Sequence, residues 1–214
     1  MDVLGLSASP RRDGNSFLLA EAAVQGAREA GHDTALVHLD DYVTHLLRDC
    51  RRCRDHNGRC TIDDGFESLL RDRVLPAEAI VLATPLYWYG VSGQLKTFLD
   101  RIFCYIAASE PDADRFVQGL LGKRLALVIA SEESYPGASL GVIHEIQEYA
   151  RYTHSAFVGV VQGIGNKRRD VLLDPGDPIG RARDLGRRLA DLRSTDYRLD
   201  TDRANTTWPQ PDGL

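Results

Sequence analysis

Val3-Leu4-Gly5-Leu6-Ser7-Ala8-Ser9-Pro10-Arg11-Arg12-Asp13-Gly14-Asn15-Ser16-Phe17 holds the reading from which the fold follows. Its first five residues are apolar or small, with no polar alternation. A strand of that kind needs cover on both faces, as strands of a parallel sheet do. Ala79–Thr84 and Leu125–Ser131 have the same character, and so have Thr34–Leu39 and Phe157–Val161. Between these strands lie segments with apolar residues at helical spacing. Asn15–Ala30 carries Phe17, Ala20, Val24 and Ala27 and stops at Gly31; Gly65–Leu75 ends before Pro76; Ser92–Ala107 carries Leu95, Leu99, Ile102 and Ile106; Ala138–His154 and Pro178–Leu192 follow. Strand and helix alternate five times. The expectation is an α/β fold with right-handed crossovers and helices on both faces of a doubly wound parallel sheet.

Composition bounds the rest. Among 214 residues, 43% hydrophobic and 27% charged describe an ordinary globular chain, which excludes disorder along its whole length. No unbroken apolar run, Leu125 to Ala130 included, approaches the roughly 20 residues a bilayer-spanning helix needs. With 26 basic and 31 acidic residues the net charge is −5, a poor basis for binding nucleic acid or an anionic membrane. The start lacks the basic and apolar regions of a secretory signal, so a cytoplasmic location is expected. One domain is read over residues 1–193. From Ser194 the chain turns polar, and residues 194–214 read as a tail that either frays or packs Tyr197 or Trp208 on a partner.

In an open parallel sheet, ligands sit beyond the carboxyl ends of the strands. At the first such end, Ser7, Ser9 and Ser16 supply hydroxyls, Arg11 and Arg12 supply positive charge, and Gly14 leaves room for a tight turn. Asn15 or Ser16 starts a helix whose free N–H groups and dipole favour a phosphate. The loop is neither a Walker loop nor a dinucleotide fingerprint, because the glycine spacings of both are missing. At the end of Ala79–Thr84 stands Pro85-Leu86-Tyr87-Trp88-Tyr89-Gly90. Three successive aromatics there suit a flat conjugated ring, or equally an interface between subunits.

The two stretches together, Ser-Pro-Arg-Arg-Asp-Gly-Asn-Ser at 9–16 and Thr-Pro-Leu-Tyr-Trp-Tyr-Gly-Val-Ser-Gly-Gln-Leu-Lys-Thr-Phe-Leu-Asp-Arg at 84–101, resemble the NAD(P)H-dependent FMN reductase and iron–sulfur flavoprotein group of the flavodoxin-like superfamily. The resemblance spans roughly residues 1–190. It implies a flavodoxin-like five-stranded sheet of order 2-1-3-4-5, FMN as cofactor and NAD(P)H as co-substrate. Ser9, Arg11, Asn15 and Ser16 would hold the FMN phosphate, with Ser7 and Phe17 beside them. Pro85, Leu86, Tyr87, Trp88 and Tyr89 would line the isoalloxazine. A third loop with Ser131, Glu132 and Glu133 would complete the site, although relatives often have glycines there. A homodimer, with one subunit covering the other's flavin, is a further expectation from the resemblance.

Cys50-x-x-Cys53-x-x-His56-x-x-x-Cys60 lies where the iron–sulfur members carry four cysteines. Three thiolates and a histidine suit zinc or an incomplete cluster, or are a remnant that binds no metal. The surrounding Arg48, Arg51, Arg52, Arg54 and Arg59 would lower thiol pKa values, form a solvated face or contact a pyridine-nucleotide phosphate. Cys104 reads as core. His32, His38, His45, His144 and His154 belong to no nucleophile motif, and Asp40-Asp41 and Asp63-Asp64 read as helix caps. The expected activity is therefore flavin-based. Hydride would pass from a nicotinamide to a quinone, a flavin or a similar conjugated acceptor, with no side-chain nucleophile. An iron–sulfur electron carrier, a flavodoxin-like protein without turnover and a specialised biosynthetic enzyme are the alternatives.

Overall fold

Five parallel strands stand in the order β2-β1-β3-β4-β5: β1 (Asp2–Ser7), β2 (Asp33–His38), β3 (Ala79–Pro85), β4 (Arg124–Ser131) and β5 (Ala156–Ile164). The computed structural model describes residues 1–48, 54–57, 60–107 and 112–193. The polar tail, Cys50 and Cys53 lie outside them. Among the described residues five α-helices connect the strands, α1 (Asn15–Glu29), α2 (Phe66–Leu69), α3 (Gly93–Ile106), α4 (Ala113–Leu120) and α5 (Leu140–Tyr152), and α6 (Pro178–Arg187) follows β5. This is the flavodoxin-like order expected from the sequence.

The strand pattern was apolar throughout, but the two faces differ in side-chain size. Register places Leu4 beside Ile80 beside Leu125, and Leu6 beside Leu82 beside Leu127. These large residues pack with Phe66, Phe98, Tyr105 and Phe116 under α2 to α5. The alternate rows run Gly5, Val81, Ala126 and Ser7, Ala83, Val128. Against these small residues α1 and α6 lie close to the sheet and to each other. A Cβ at Gly26 would overlap the carbonyl of Arg183, and one at Gly186 would overlap that of Ala23. The contact of α1 with α6 therefore depends on glycine at both points.

The helices depart from the periodicity reading in three places. The segment Ala113–Leu120 is a helix that sequence reading missed: it has only eight residues, with glycines at 119 and 122 that read as a loop. The Gly65–Leu75 helix is α-helical only to Leu69 and then widens to a π-turn over Leu70–Val74. The last helix stops at Arg187 instead of Leu192. Gly31 does end α1, at a φ of 84° open to glycine.

A long excursion, residues 39–65, leaves β2 and returns at α2. Its return is fixed by a buried ion pair. Arg101 of α3 donates from Nη1 to Asp64 Oδ2 at 2.5 Å and from Nη2 to Oδ1 at 2.8 Å, with the side chains 1% and 2% exposed. Asp64 also accepts the N–H groups of Thr44 and Phe66, and the guanidinium lies 4.3 Å from the Phe66 ring centroid. So Asp64 does more than cap a helix: burial pushes its pKa up, and the bonds from Arg101 and the backbone outweigh that and hold it low. Arg54 lies over the Tyr105 ring and donates to the Cys104 carbonyl at 3.1 Å. Cys104 is buried, as expected of a core residue.

Candidate active site

The loop after β1 is fixed largely by its own backbone. Gly14 N–H donates to the Arg11 carbonyl at 3.0 Å, and Arg11 N–H donates to Ser9 Oγ at 3.1 Å. A Cβ on Gly14 would lie 3.0 Å from Arg11 Cβ and 3.2 Å from Ser9 Oγ, so a side chain there would press on the loop. The φ of Gly14 is −75°; close approach, not a left-handed conformation, is what calls for glycine. Gly14 is also the N-cap, and no side chain caps α1. The first-turn N–H groups of Asn15, Ser16 and Phe17 therefore have no intrahelical acceptor. Below them the buried Ser7 Oγ lacks a hydrogen-bond partner among the described residues. Free amides at a helix start, an orphaned hydroxyl and a close turn at Gly14 fit a phosphate ester.

The two arginines divide. Arg12 is in an ion pair with Asp41, whose carboxylate it holds below its usual pKa range; Asp41 is thus not a cap. Arg11 is exposed and has no ion pair or side-chain hydrogen bond among the described residues. Asn15 faces away from the loop's mouth. Its Nδ2 donates to the carbonyls of Gly165 at 3.0 Å and Lys167 at 2.9 Å, and its Oδ1 accepts from Val171 N–H. It ties the β1 loop to the loop after β5, and its backbone N–H remains for an anion. Ser16 is buried at the same turn. Phe17 stacks on His38 of β2 at 4.7 Å. Burial, followed by the charge of Arg12, pushes His38 below the ordinary histidine pKa.

Ser92 joins the first loop to the second. It is fully buried, donates from Oγ to the Ala8 carbonyl at 2.8 Å, and accepts from Leu95 N–H as the N-cap of α3. Its own N–H donates to Thr84 Oγ1. A serine just before a helical pattern is a readable cap signal, whereas its long-range bond to Ala8 is not. The turn between them is held by reciprocal 3.1 Å bonds between Tyr87 and Gly90. Trp88 and Tyr89, at its centre, have φ of 50° and 61°, the left-handed region that such turns require and bulky residues disfavour. Pro85 ends β3 in the core and Leu86 is half-buried, but Tyr87 and Tyr89 are exposed and Trp88 is 97% exposed.

The loop after β4 meets this turn. Leu86 N–H donates to the Ala130 carbonyl at 2.8 Å, and Tyr89 Oη donates to Glu133 Oε1 at 3.3 Å. A hydrogen bond to Tyr135 and the charges nearby push the Tyr89 phenol up to about 12, so it remains a neutral donor at ordinary pH. Ser131 is buried and donates to the Glu133 carbonyl at 2.9 Å; Gln162 donates to Ser131 Oγ at 2.8 Å and in turn accepts from Ser139. Glu132 accepts from Asn166 at 2.9 Å. Tyr135, Gln162 and Asn166 carry no sequence signal, because each acts through partners more than 20 positions away.

Of the cysteine series, Cys50 and Cys53 lie outside the described residues. His56 is exposed and Cys60 half-buried. Among the described residues no three histidine, cysteine or acidic side chains converge as metal ligands. A cavity of about 220 Å³, lined by Asp2, Asp33, Asp72 and Arg73 among others, opens at the amino ends of the strands, the wrong end for this site.

The model of the NADPH-dependent FMN reductase family matches residues 1–162. The chain is 28% identical over 174 residues to YwqN of Bacillus subtilis strain 168, provisionally named an NAD(P)H-dependent FMN-containing oxidoreductase; the match covers 81% of this chain and 91% of the relative. It is 26% identical over 205 residues to an iron–sulfur flavoprotein of Archaeoglobus fulgidus, covering 94% and 84% respectively. Among solved structures, the Trp repressor binding protein of Bacillus subtilis superposes with a TM-score of 0.62 at 24% identity, over 89% of this chain and 97% of that one, a likeness of fold alone. No helix among the described residues is long and apolar enough to cross a membrane. The chain belongs to the NADPH-dependent FMN reductase family, as a flavodoxin-like oxidoreductase with FMN as cofactor and NAD(P)H as its source of electrons.

Proposed function

We propose that this chain passes electrons from NAD(P)H to a small conjugated acceptor, a quinone or a free flavin, at the loops after β1, β3 and β4. The observation that carries the reading is their convergence through Ser92 to Ala8, Leu86 to Ala130 and Tyr89 to Glu133. FMN, when bound, would supply the redox chemistry between the nicotinamide and the acceptor. The first-turn N–H groups of α1, Ser7 Oγ, Ser9 and Arg11 bind the cofactor's phosphate. Pro85 and Leu86 give the ring an apolar floor beside the exposed aromatic turn. Nicotinamide and acceptor use one place in succession, which requires no side-chain nucleophile.

The proposal includes a homodimer in which a second copy covers the turn. Trp88 is 97% exposed and Tyr135 and Leu140 are more than half exposed, an aromatic and aliphatic surface that gains by burial. The cysteine series is one thiolate short of a cubane set, and Asp64–Arg101 and Arg54 hold the described flanks of that segment by protein contacts. We therefore route no electrons through a cluster; iron with acid-labile sulfide in an anaerobic preparation would reverse that choice.

The test is the purified protein with added FMN. A yellow protein that oxidises NADH or NADPH with 1,4-naphthoquinone is the expected result. A protein that takes up no FMN under oxidising or reducing conditions rejects the reading. One that binds FMN without oxidising a nicotinamide makes it a carrier.

A further inference from the structure

Opposite signs of charge stand at the two ends of the site. The β1 loop carries Arg11, exposed and without an ion pair among the described residues. The β4 loop presents Glu133, which has no cationic partner among the described residues and accepts instead from the neutral Tyr89 phenol at 3.3 Å. Glu133 is fixed where it stands. Ser131 Oγ and Gln162 Nε2 both donate to its main-chain carbonyl, at 2.9 and 3.4 Å, and Ser139 fixes Gln162 in turn at 2.8 Å. Ser131 and Ser139 are buried, so this support is shielded from water. These bonds hold the main chain at Glu133, and the Tyr89 phenol ties the carboxylate to the aromatic turn.

We infer that Glu133, positioned by Tyr89, selects the electron acceptor by charge, favouring uncharged or cationic acceptors over anionic ones. The inference rests on the proposed function and names the acceptor class for that same site. Overall, NAD(P)H, one proton and a quinone give NAD(P)⁺ and a hydroquinone. Two electrons and a proton move as hydride, and solvent supplies the second proton. An acceptor bearing a sulfonate has to bring a second negative charge beside a carboxylate that no cation neutralises. At a separation of several ångströms in a half-exposed site, that repulsion changes binding by a factor of roughly three to ten. An uncharged quinone does not meet it.

The experiment compares 1,4-naphthoquinone with 1,4-naphthoquinone-2-sulfonate in the FMN-loaded full-length protein. In a two-step scheme the kcat/KM of the acceptor is independent of the nicotinamide step, so the ratio of the two values isolates the acceptor. Glu133→Gln is expected to raise the sulfonate-to-neutral ratio about three- to tenfold, mainly through KM. Glu133→Lys is expected to raise it further. Tyr89→Phe, which leaves the charge but frees it to swing away, is expected to give a smaller rise in the same direction. If Glu133→Gln does not fold, the Tyr89→Phe ratio decides. Flavin-loaded, active variants whose ratio stays within about twofold of the parent overturn the inference while leaving the proposed function intact. A parent protein that binds no FMN or oxidises no nicotinamide overturns both.

Discussion

The loops after β1 and β3 lie side by side at the same edge of the sheet and are built on opposite principles. The β1 loop keeps its residues at negative φ, hydrogen-bonds to itself, and is tied by Asn15 to the far side of the sheet at Gly165, Lys167 and Val171. The β3 loop places Trp88 and Tyr89 in the left-handed region and leaves their rings in water. A phosphate needs N–H groups whose positions are set before it arrives, because each must meet a small, highly directional target. A flat ring needs area and tolerance, which an exposed turn offers once a ring or a second subunit covers it. Preorganisation belongs to the β1 loop and strain to the β3 turn.

The largest expected effect tests what supports the strained turn. It runs directly into α3, which Arg101 holds to Asp64. Asp64→Asn leaves the Arg101 charge buried without its counterion, so unfolding stability should fall by about 3–5 kcal/mol in urea titrations. The parent also carries a pH signature. Because the folded-state pKa of Asp64 is lowered, its contribution is in place at neutral pH and is lost as pH falls through that lowered value. The acid limb should be flatter in Asp64→Asn, and an unchanged limb contradicts the assignment.

Next comes the tie between the β1 and β5 loops. Asn15→Ala removes three hydrogen bonds, two of them partly exposed to solvent, and should cost about 2 kcal/mol of stability. FMN affinity should fall at least about tenfold with it, read by quenching of flavin fluorescence. Full FMN affinity in a destabilised Asn15→Ala protein would mean that the anchor is not preorganised by that tie. Arg11→Ala separates charge from architecture. The side chain is exposed and unpaired, so stability should stay within about 0.5 kcal/mol while the FMN Kd rises about tenfold. Unaltered FMN affinity there removes Arg11 from the phosphate site.

The smallest effect has the opposite sign. Trp88→Gly relieves a left-handed conformation that costs a bulky residue about 1–2 kcal/mol, partly offset by the backbone entropy of glycine. Thermal unfolding of the flavin-free protein should show a gain of about 0.5–1 kcal/mol. If Trp88 is covered in a dimer, the variant should at the same time dissociate more readily in light-scattering measurements. A variant less stable as a monomer would show that the turn is not strained.

Most of the architecture was legible because buried strands and amphipathic helices leave one-dimensional signals, and those signals agree from β1 to α6. What escaped reading was local and short: α4 has too few turns to show a period, and the widening after α2 comes from how Leu70 and Val74 seat against the core. The site divides in the same manner. The hydroxyls, arginines and aromatics of the first two loops stand in consecutive order, and their chemistry is written in that order. Tyr135, Gln162 and Asn166 are ordinary residues until Tyr89, Ser131 and Glu132 are brought beside them.

The sequence by itself determined the layered sheet and the chemistry that each loop offers, because hydrophobic period and loop composition are properties of neighbouring residues. Only the tertiary structure decided that Arg12 pairs with Asp41 while Arg11 and Glu133 have no ion pair among the described residues, that Asn15 ties the β1 loop to the loop after β5, and that Glu133 stands beside Tyr89. Each of those outcomes depends on which charges and hydrogen-bonding groups meet across the fold, and in this chain the partners lie from 29 to 156 positions apart.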